Sequence, residues 1–241
     1  MRRFVDLHCH FVAGIDDGAP SPAEGVAMLE ALGALGFEHV VATPHMRPGM
    51  FENTRIDLER AFAAMGPHLA ARPDLPRVSL SSEHYFDAIV FSRLLDGSGL
   101  PYPGGRAALL EFYEIDFPPT IEHRFFDLLR NGIRPVIAHP ERYRILWREP
   151  ERLERLVEKG AAALLDTAAL VGKYGRKPQS CAEHLLELEL YHAACSDAHR
   201  AADVGEVAAG MRAIQKRYGA DEIEFLFCDG PRALLEGHLP E

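Results

Sequence analysis

Short, almost continuously apolar runs recur along the chain at 3–8, 38–43, 77–82, 106–111, 134–139, 161–166 and 190–196. Runs of that length and texture fit strands covered on both faces, as in a parallel sheet. The stretches between them read as helices. Ser21-Pro22-Ala23-Glu24 is a capping box with proline at the first helical position. Val26, Met28, Leu29, Leu32 and Leu35 then make one apolar face, and Gly36 can end the helix in the left-handed conformation. Pro150 opens another helix, with Leu153, Leu156 and Val157 on one face and Gly160 after it. Further helices are expected over 55–71, 88–95, 121–130, 181–189 and 203–217. Strand and helix alternate seven times, which predicts a βα-repeated α/β fold. The pattern alone leaves an open doubly wound sheet and a closed barrel both standing. No repeat, low-complexity segment or linker divides the chain, so residues 1–241 read as one domain.

Composition narrows the field. Apolar residues make up 47% and charged residues 26%, as in an ordinary globular protein. The formal net charge of −10 disfavours a nucleic-acid partner, since phosphate backbones are bound by clustered Lys and Arg. No apolar run is long enough to span a bilayer, and the basic start Met1-Arg2-Arg3 leads into no apolar signal segment. Cys9, Cys181, Cys195 and Cys228 form no CxxC pair, which fits reduced thiols in a cytoplasmic protein.

Histidine changes the picture. There are twelve, and their positions matter more than their number. In parallel α/β folds, chemistry gathers at the carboxyl ends of the strands. The first run ends in Asp6-Leu7-His8-Cys9-His10, the second in Thr43-Pro44-His45 and the third in Ser82-Glu83-His84. The fourth ends in Glu111, the fifth in Ala138-His139-Pro140 and the seventh in Ser196-Asp197-Ala198-His199. An extended strand aims His8 and His10 to one side and Cys9 to the other, a chelating spacing that Asp197 and His199 repeat. In Gly14-Ile15-Asp16-Asp17-Gly18, one acid can turn back to the rim as a ligand while the other caps the turn. His39, His68, His123, His184, His192 and His238 fall away from strand ends and read as surface or core residues. His84 points to the other side of its strand from Glu83. Donors of N and O type without thiolate suit Mn, Zn, Fe or Mg rather than a closed structural zinc.

The segments DLHCH, GIDDGA, ATPH, SSEHYFD, LLEF, VIAHPERY and CSDAH, in that order, resemble the polymerase and histidinol phosphatase (PHP) superfamily. More narrowly they resemble its bacterial CpsB/CapC-type branch of tyrosine phosphatases, over nearly the whole chain. The resemblance implies a distorted (β/α)7 TIM-like barrel with up to three metal ions, manganese foremost, at its C-terminal mouth. It implies phosphomonoester hydrolysis by a metal-bridging hydroxide, on an autophosphorylating bacterial tyrosine kinase of capsule or exopolysaccharide biosynthesis. Carried over residue by residue, His8, His10, Glu83 and Asp197 hold one ion. Glu83 bridges to a second, completed by Glu111 and His139, and Asp17, His45 and His199 hold the third. Arg142 of HPERY matches the phosphate-binding arginine, and Arg47 sits on a matching loop near the site.

The family usually places an Arg-Pro-Pro segment after SDAH. Here His199-Arg200-Ala201-Ala202-Asp203 follows, and Arg200 is the one available substitute. Asp166-Thr167-Ala168-Ala169 replaces an Asn-containing segment, and Gly230-Pro231 replaces Asn-Pro. On the residues, four carboxylates against three divalent ions leave an excess of about two positive charges, which suits a phosphate dianion. Two other functions are consistent with the sequence. One is a small-molecule phosphatase of the histidinol-phosphate kind, and the other is a non-catalytic metal-binding regulator.

Overall fold

The computed structural model describes residues 3–240. Its strands are β1 (Phe4–Cys9), β2 (Phe37–Ala42), β3 (His45–Met46), β4 (Arg77–Leu80), β5 (Glu83–Tyr85), β6 (Ala107–Glu111), β7 (Arg134–Ala138), β8 (Ala162–Asp166) and β9 (Ala193–Cys195). They form two sheets, ordered β1-β2-β4 and β3-β5-β6-β7-β8-β9, and every strand pairing is parallel. All seven apolar runs are therefore strands of an α/β fold.

The second and third runs are each broken just before a candidate ligand. After β2 the chain passes Thr43-Pro44 and resumes as β3 at His45; after β4 it passes Ser81-Ser82 and resumes as β5 at Glu83. Pro44 has no N–H to give a ladder. Across the break Ser82 Oγ donates to the Pro44 carbonyl at 2.7 Å, and the Glu83 N–H reaches the Thr43 and Pro44 carbonyls at 3.2 Å. The breaks are level, because β2 and β4 pair up to Ala42 and Leu80, and beyond them His45 pairs with Glu83. Two runs thus begin in one sheet and finish in the other. At the opposite seam the Asp197 N–H donates to the His8 carbonyl, and the His10 N–H to the Ala198 carbonyl, both at 2.9 Å. The last run so lies beside the first, although the ladders stay in two sheets and do not make one closed ring.

Alternation along the strands separates two buried clusters. Leu109, Val136, Ala138, Leu164, Ala193 and Cys195 pack in one, while Leu110, Ile137, Ala163, Leu165 and Ala194 pack in the other, with the helices. The same parity puts Glu111, Asp166 and Asp197 on the inner side, above the first cluster.

Several helices follow the sequence. In Pro22–Leu35, Ser21 Oγ accepts the Glu24 N–H at 3.3 Å, and Gly36 closes the helix at φ 104°. Gly25 is required by packing, because a Cβ there would sit 2.2 Å from the Phe11 carbonyl oxygen. The helix expected over 55–71 is instead two, Arg55–Ala64 and Gly66–Ala70, since Pro67 cannot supply the N–H that a continuous helix needs. The helix expected from residue 181 begins earlier, as Arg176–Glu187. Ala220–Glu224, a wide turn over Phe225–Asp229, and Gly230–Leu235 add a helical C-terminal segment that periodicity did not announce. Among the described residues no helix is long and apolar enough to cross a membrane.

Candidate metal centre

The nine side chains singled out as ligands converge at the carboxyl ends of the strands. Their donor atoms fall into four groups, each within 4.8 Å: His10, Asp17, His45 and His199; His8, His10 and Asp197; His8, Glu83 and His139; His45, Glu83 and Glu111. Each group shares one residue with the next, through His10, His8, Glu83 and His45 in turn, so the four close into a ring. Compared with the expected allocation, Glu111 groups with His45 rather than His139, and His139 groups with His8.

Local backbone explains how strand ends deliver these groups. His139 has φ 34° and Asp197 φ 43°, both left-handed and both non-glycine. Such conformations cost free energy and persist only where surroundings enforce them. Strand parity would send His139 to the helix side with Ile137. The left-handed turn brings it back, with Nε2 3.0 Å from Glu83 Oε1 and its ring stacked 5.7 Å from His8. In β1 the register with β2 slips between Asp6 and Cys9, where His8 lies.

The donor atoms of the cluster crowd within hydrogen-bonding distance of one another. His8 Nε2 and His10 Nε2 are 3.1 Å apart, and His8 Nε2 is 3.2 Å from Asp197 Oδ1 and 3.3 Å from Glu83 Oε2. The Nδ1 atoms of His8, His45 and His139 are buried without a hydrogen bond. His45 Nδ1 lies 3.0 Å from Glu83 Oε2 but is not aligned to donate to it. The lone pairs of His8 Nε2, His10 Nε2, Glu83 and Asp197 converge on one space, an arrangement that a cation would satisfy. The donor set is nitrogen and oxygen throughout, which fits Mn, Zn, Fe or Mg.

Electrostatics lead the same way. Burial would raise Glu83 and Asp197, but His8 and further histidines outweigh it and hold both carboxyls well below their usual range. Burial would lower His45, but Glu83 and Asp17 raise it to about 11. Burial likewise opposes His199, which the Asp17 bond and Asp197 lift to about 9. Glu83 and Asp197 hold their charge and draw positive charge from whatever can carry it, whereas burial and Glu83 push Glu111 up to about 7. His139 goes the other way, to about 4, through burial and the Arg142 guanidinium, and so offers a neutral nitrogen.

Around the donors lies a supporting shell. Asp16 is the turn-capping acid of the pair: Oδ1 accepts the Gly18 N–H at 3.0 Å, while Oδ2 accepts from His10 Nδ1 at 2.8 Å and the His45 N–H at 3.1 Å. Fixing Nδ1–H leaves His10 Nε2 as the donor to an ion. Asp17 is the exposed member at 56%, near His45 and His199. Arg142, on the short turn Pro140–Arg142, donates to Asp197 Oδ2 at 2.8 Å and lies 4.7 Å over the Tyr174 ring. Tyr174 in turn borders Asp166, whose carboxyl burial and Asp197 push up to about 6. Tyr174 and Asp166 are supports that the sequence reading did not assign; the position of Asp166 at the end of the sixth run was the available signal. Arg47 reaches Glu111 Oε2 at 3.5 Å and stacks 4.2 Å over Tyr85.

Arg47 and Arg142 both line the cleft over the cluster, a space of about 170 Å³ with Met50, Phe51 and Glu114 on its wall. Arg200 is not on that wall. It borders an adjoining groove with Lys173 and Asp203, which shares Asp17, Arg142, Asp197 and His199 with the cleft. The remaining histidines stay apart. His84 is buried, donates from Nδ1 to the Leu109 carbonyl and accepts the Leu100 N–H. His39 and His192 are buried beside strands, and His68, His123, His184 and His238 are exposed. All four cysteines are buried and unpaired.

The family of capsular polysaccharide synthesis proteins CpsB/CapC matches residues 4–236. The chain is 30% identical to the tyrosine-protein phosphatase YwqE of Bacillus subtilis, covering 96% of this chain and 91% of YwqE. It is 27% identical to the tyrosine-protein phosphatase CpsB of Streptococcus pneumoniae, covering 98% and 99%. A solved structure reported under YwqE and CpsB, described as unique metal-dependent tyrosine phosphatases, superposes with TM-score 0.86 at 28% identity, covering 98% of this chain and 96% of that one. A histidinol phosphate phosphatase from Lactococcus lactis, solved with zinc, L-histidinol and phosphate, shares the fold at TM-score 0.54 and 15% identity, over 88% and 94% of the two chains.

Proposed function

The chain belongs to the CpsB/CapC family of capsular polysaccharide synthesis proteins, and on that premise we propose that it is a metal-dependent protein-tyrosine phosphatase. Its substrate in this reading is a phosphotyrosine protein, an autophosphorylating tyrosine kinase of polysaccharide export in the cytoplasm. The fold is read as one (β/α)7-like domain in which the two sheets together serve as the barrel wall. The observation that carries the proposal is the ring of four donor groups with an arginine, Arg142, held at its edge.

His8, His10, Asp17, His45, Glu83, Glu111, His139, Asp197 and His199 are the proposed ligands, for two or three divalent ions with manganese foremost. Such ions supply positive charge to phosphoryl oxygens and lower the pKa of water to near neutrality. The chain supplies the rest. Arg142 spends one N–H on Asp197 and keeps the remaining face of its fork for phosphoryl oxygens, which pair well with a planar guanidinium. Arg47, tethered by Glu111 and Tyr85, adds a second positive group on the opposite wall. Phe51 stacks on His45 with ring centroids 5.1 Å apart, and together with Met50 it gives the mouth an apolar lip. A phenyl ring can lie against that lip while its phosphate meets the cluster. Tyrosine phenolate is a good leaving group and needs no strong acid beside it.

The test is hydrolysis of p-nitrophenyl phosphate and of a phosphotyrosine peptide with added Mn²⁺, before and after chelation. Activity on both, lost to chelator and restored by Mn²⁺, is expected. A protein that stays folded and metal-loaded yet releases no phosphate from either would overturn the proposal.

A further inference from the structure

Beside the cleft runs an open groove of about 650 Å³, lined by Leu146, Trp147, Arg148, Pro150, Arg176, Lys177, Ser180, Cys181 and His184. No carboxylate lines it. Arg148, Arg176 and Lys177 are exposed, and none has an ion pair or side-chain hydrogen bond among the described residues. The chain carries a formal net charge of −10, and several of its cations are claimed by acids, as Arg152 is by Asp116 and Lys173 by Asp203. Here three are left free side by side, with the one tryptophan of the sequence between them and the core.

The groove is tied to the cleft at both walls. The Trp147 indole N–H donates to the carbonyl of Glu141, the neighbour of Arg142, at 2.8 Å. On the other side Arg142 stacks on Tyr174, and two residues further the chain reaches Arg176. Two residues of chain span at most about 7 Å. A peptide whose phosphate sits at Arg142 would therefore run into the groove within a few residues.

We propose that this groove binds acidic residues flanking the phosphotyrosine of a protein substrate. The idea rests on the phosphatase reading for its orientation, though not for its chemistry. Three unpaired cations around a half-buried indole suit an extended acidic segment, whose carboxylates meet the guanidinium and ammonium groups while its backbone lies along Trp147. Placed at a rim, such charges steer and hold the partner and leave the reacting atoms untouched.

Two measurements separate this proposal from the function it extends. The first titrates the protein with an unphosphorylated Glu-rich peptide and follows Trp147 fluorescence, which needs neither metal nor turnover. A saturable change is expected, weakened by raised salt and absent from an R148A/R176A/K177A variant. The second compares kcat/KM on phosphotyrosine peptides with acidic or alanine flanks. The acidic flanks should give about a 10-fold advantage, carried by KM and lost in the triple variant, with p-nitrophenyl phosphate turnover unchanged. No fluorescence response, or equal kcat/KM for both peptides in the wild type, would overturn the groove. Binding without any phosphatase activity would leave the groove standing and remove the function proposed above.

Discussion

Arg142 is the residue whose replacement says most. Its guanidinium touches Asp197 on one side and the Tyr174 ring on the other, so its position is fixed before any substrate arrives. A charge-assisted contact of this kind contributes roughly 1.5–3 kcal/mol, equivalent to about 10- to 150-fold. Arg142→Ala should lower kcat/KM on p-nitrophenyl phosphate by about that factor with bound metal unchanged, and Arg142→Lys should recover only part. Arg200→Ala should have the smaller effect, because Arg200 is exposed and lies off the cleft wall that holds Arg47 and Arg142; steady-state kinetics with parallel metal analysis decides both. If Arg142→Ala retained full rate, phosphate would have to be held elsewhere. At this scale the sequence was informative where side chains sit at strand ends, because alternation and spacing predict direction there. That is how His8, His10, Glu83 and Asp197 were recognisable together. Asp16 was half legible, since either acid of the pair could have capped the turn. Tyr174 left no trace, because it lies in a loop and its part depends on a ring meeting Arg142 from a distant segment.

Among the elements, the strand pair β2 and β4 carries a histidine held neutral. His39 Nδ1 accepts from Arg77 at 3.1 Å and Nε2 donates to Ser79 Oγ at 2.8 Å across the ladder. Burial, then the Arg77 guanidinium, push its pKa down from 6.5 to about 4. The folded state therefore binds fewer protons than the unfolded chain between those values. The stabilisation is complete above pH 6.5 and fades as pH falls toward 4. Urea midpoints at pH 7 and pH 5 should show a smaller acid loss for His39→Gln than for the wild type, and an equal loss would refute the assignment. The seven apolar runs announced the seven places where the chain enters a sheet. They did not announce β3 and β5, because strands of two and three residues are too short for a period to register. Pro44 and Ser81-Ser82 were the available marks of the breaks. The helical C-terminal segment was missed for another reason: Leu226, Phe227 and Cys228 are consecutive apolar residues packed in a wide turn, without helical spacing.

On the scale of the whole molecule, the acidic total and the cation-seeking centre belong together. Four of the acids, Asp17 exposed and the other three largely buried, are donors whose charge the fold alone offsets with histidines of raised pKa and with Arg142 and Arg47. Anything that binds the folded chain alone raises its stability by mass action, about 2.7 kcal/mol at a hundred times the dissociation constant. For a chain of this size that is roughly 5–10 °C in Tm. Calorimetry should show Mn²⁺ raising Tm by about that amount and chelator reversing it, whereas an unchanged Tm would argue against resident ions. The ring of donor groups has a different kind of consequence. The groups are not independent slots: His8 and His10 each turn one nitrogen toward two groups, so an ion that takes it leaves the neighbouring group a donor short. The sequence of loading then matters as much as the final inventory. A first ion of the wrong size would set the spacing offered to those that follow, and one folded chain could end in several metal compositions according to which ions it met, and when.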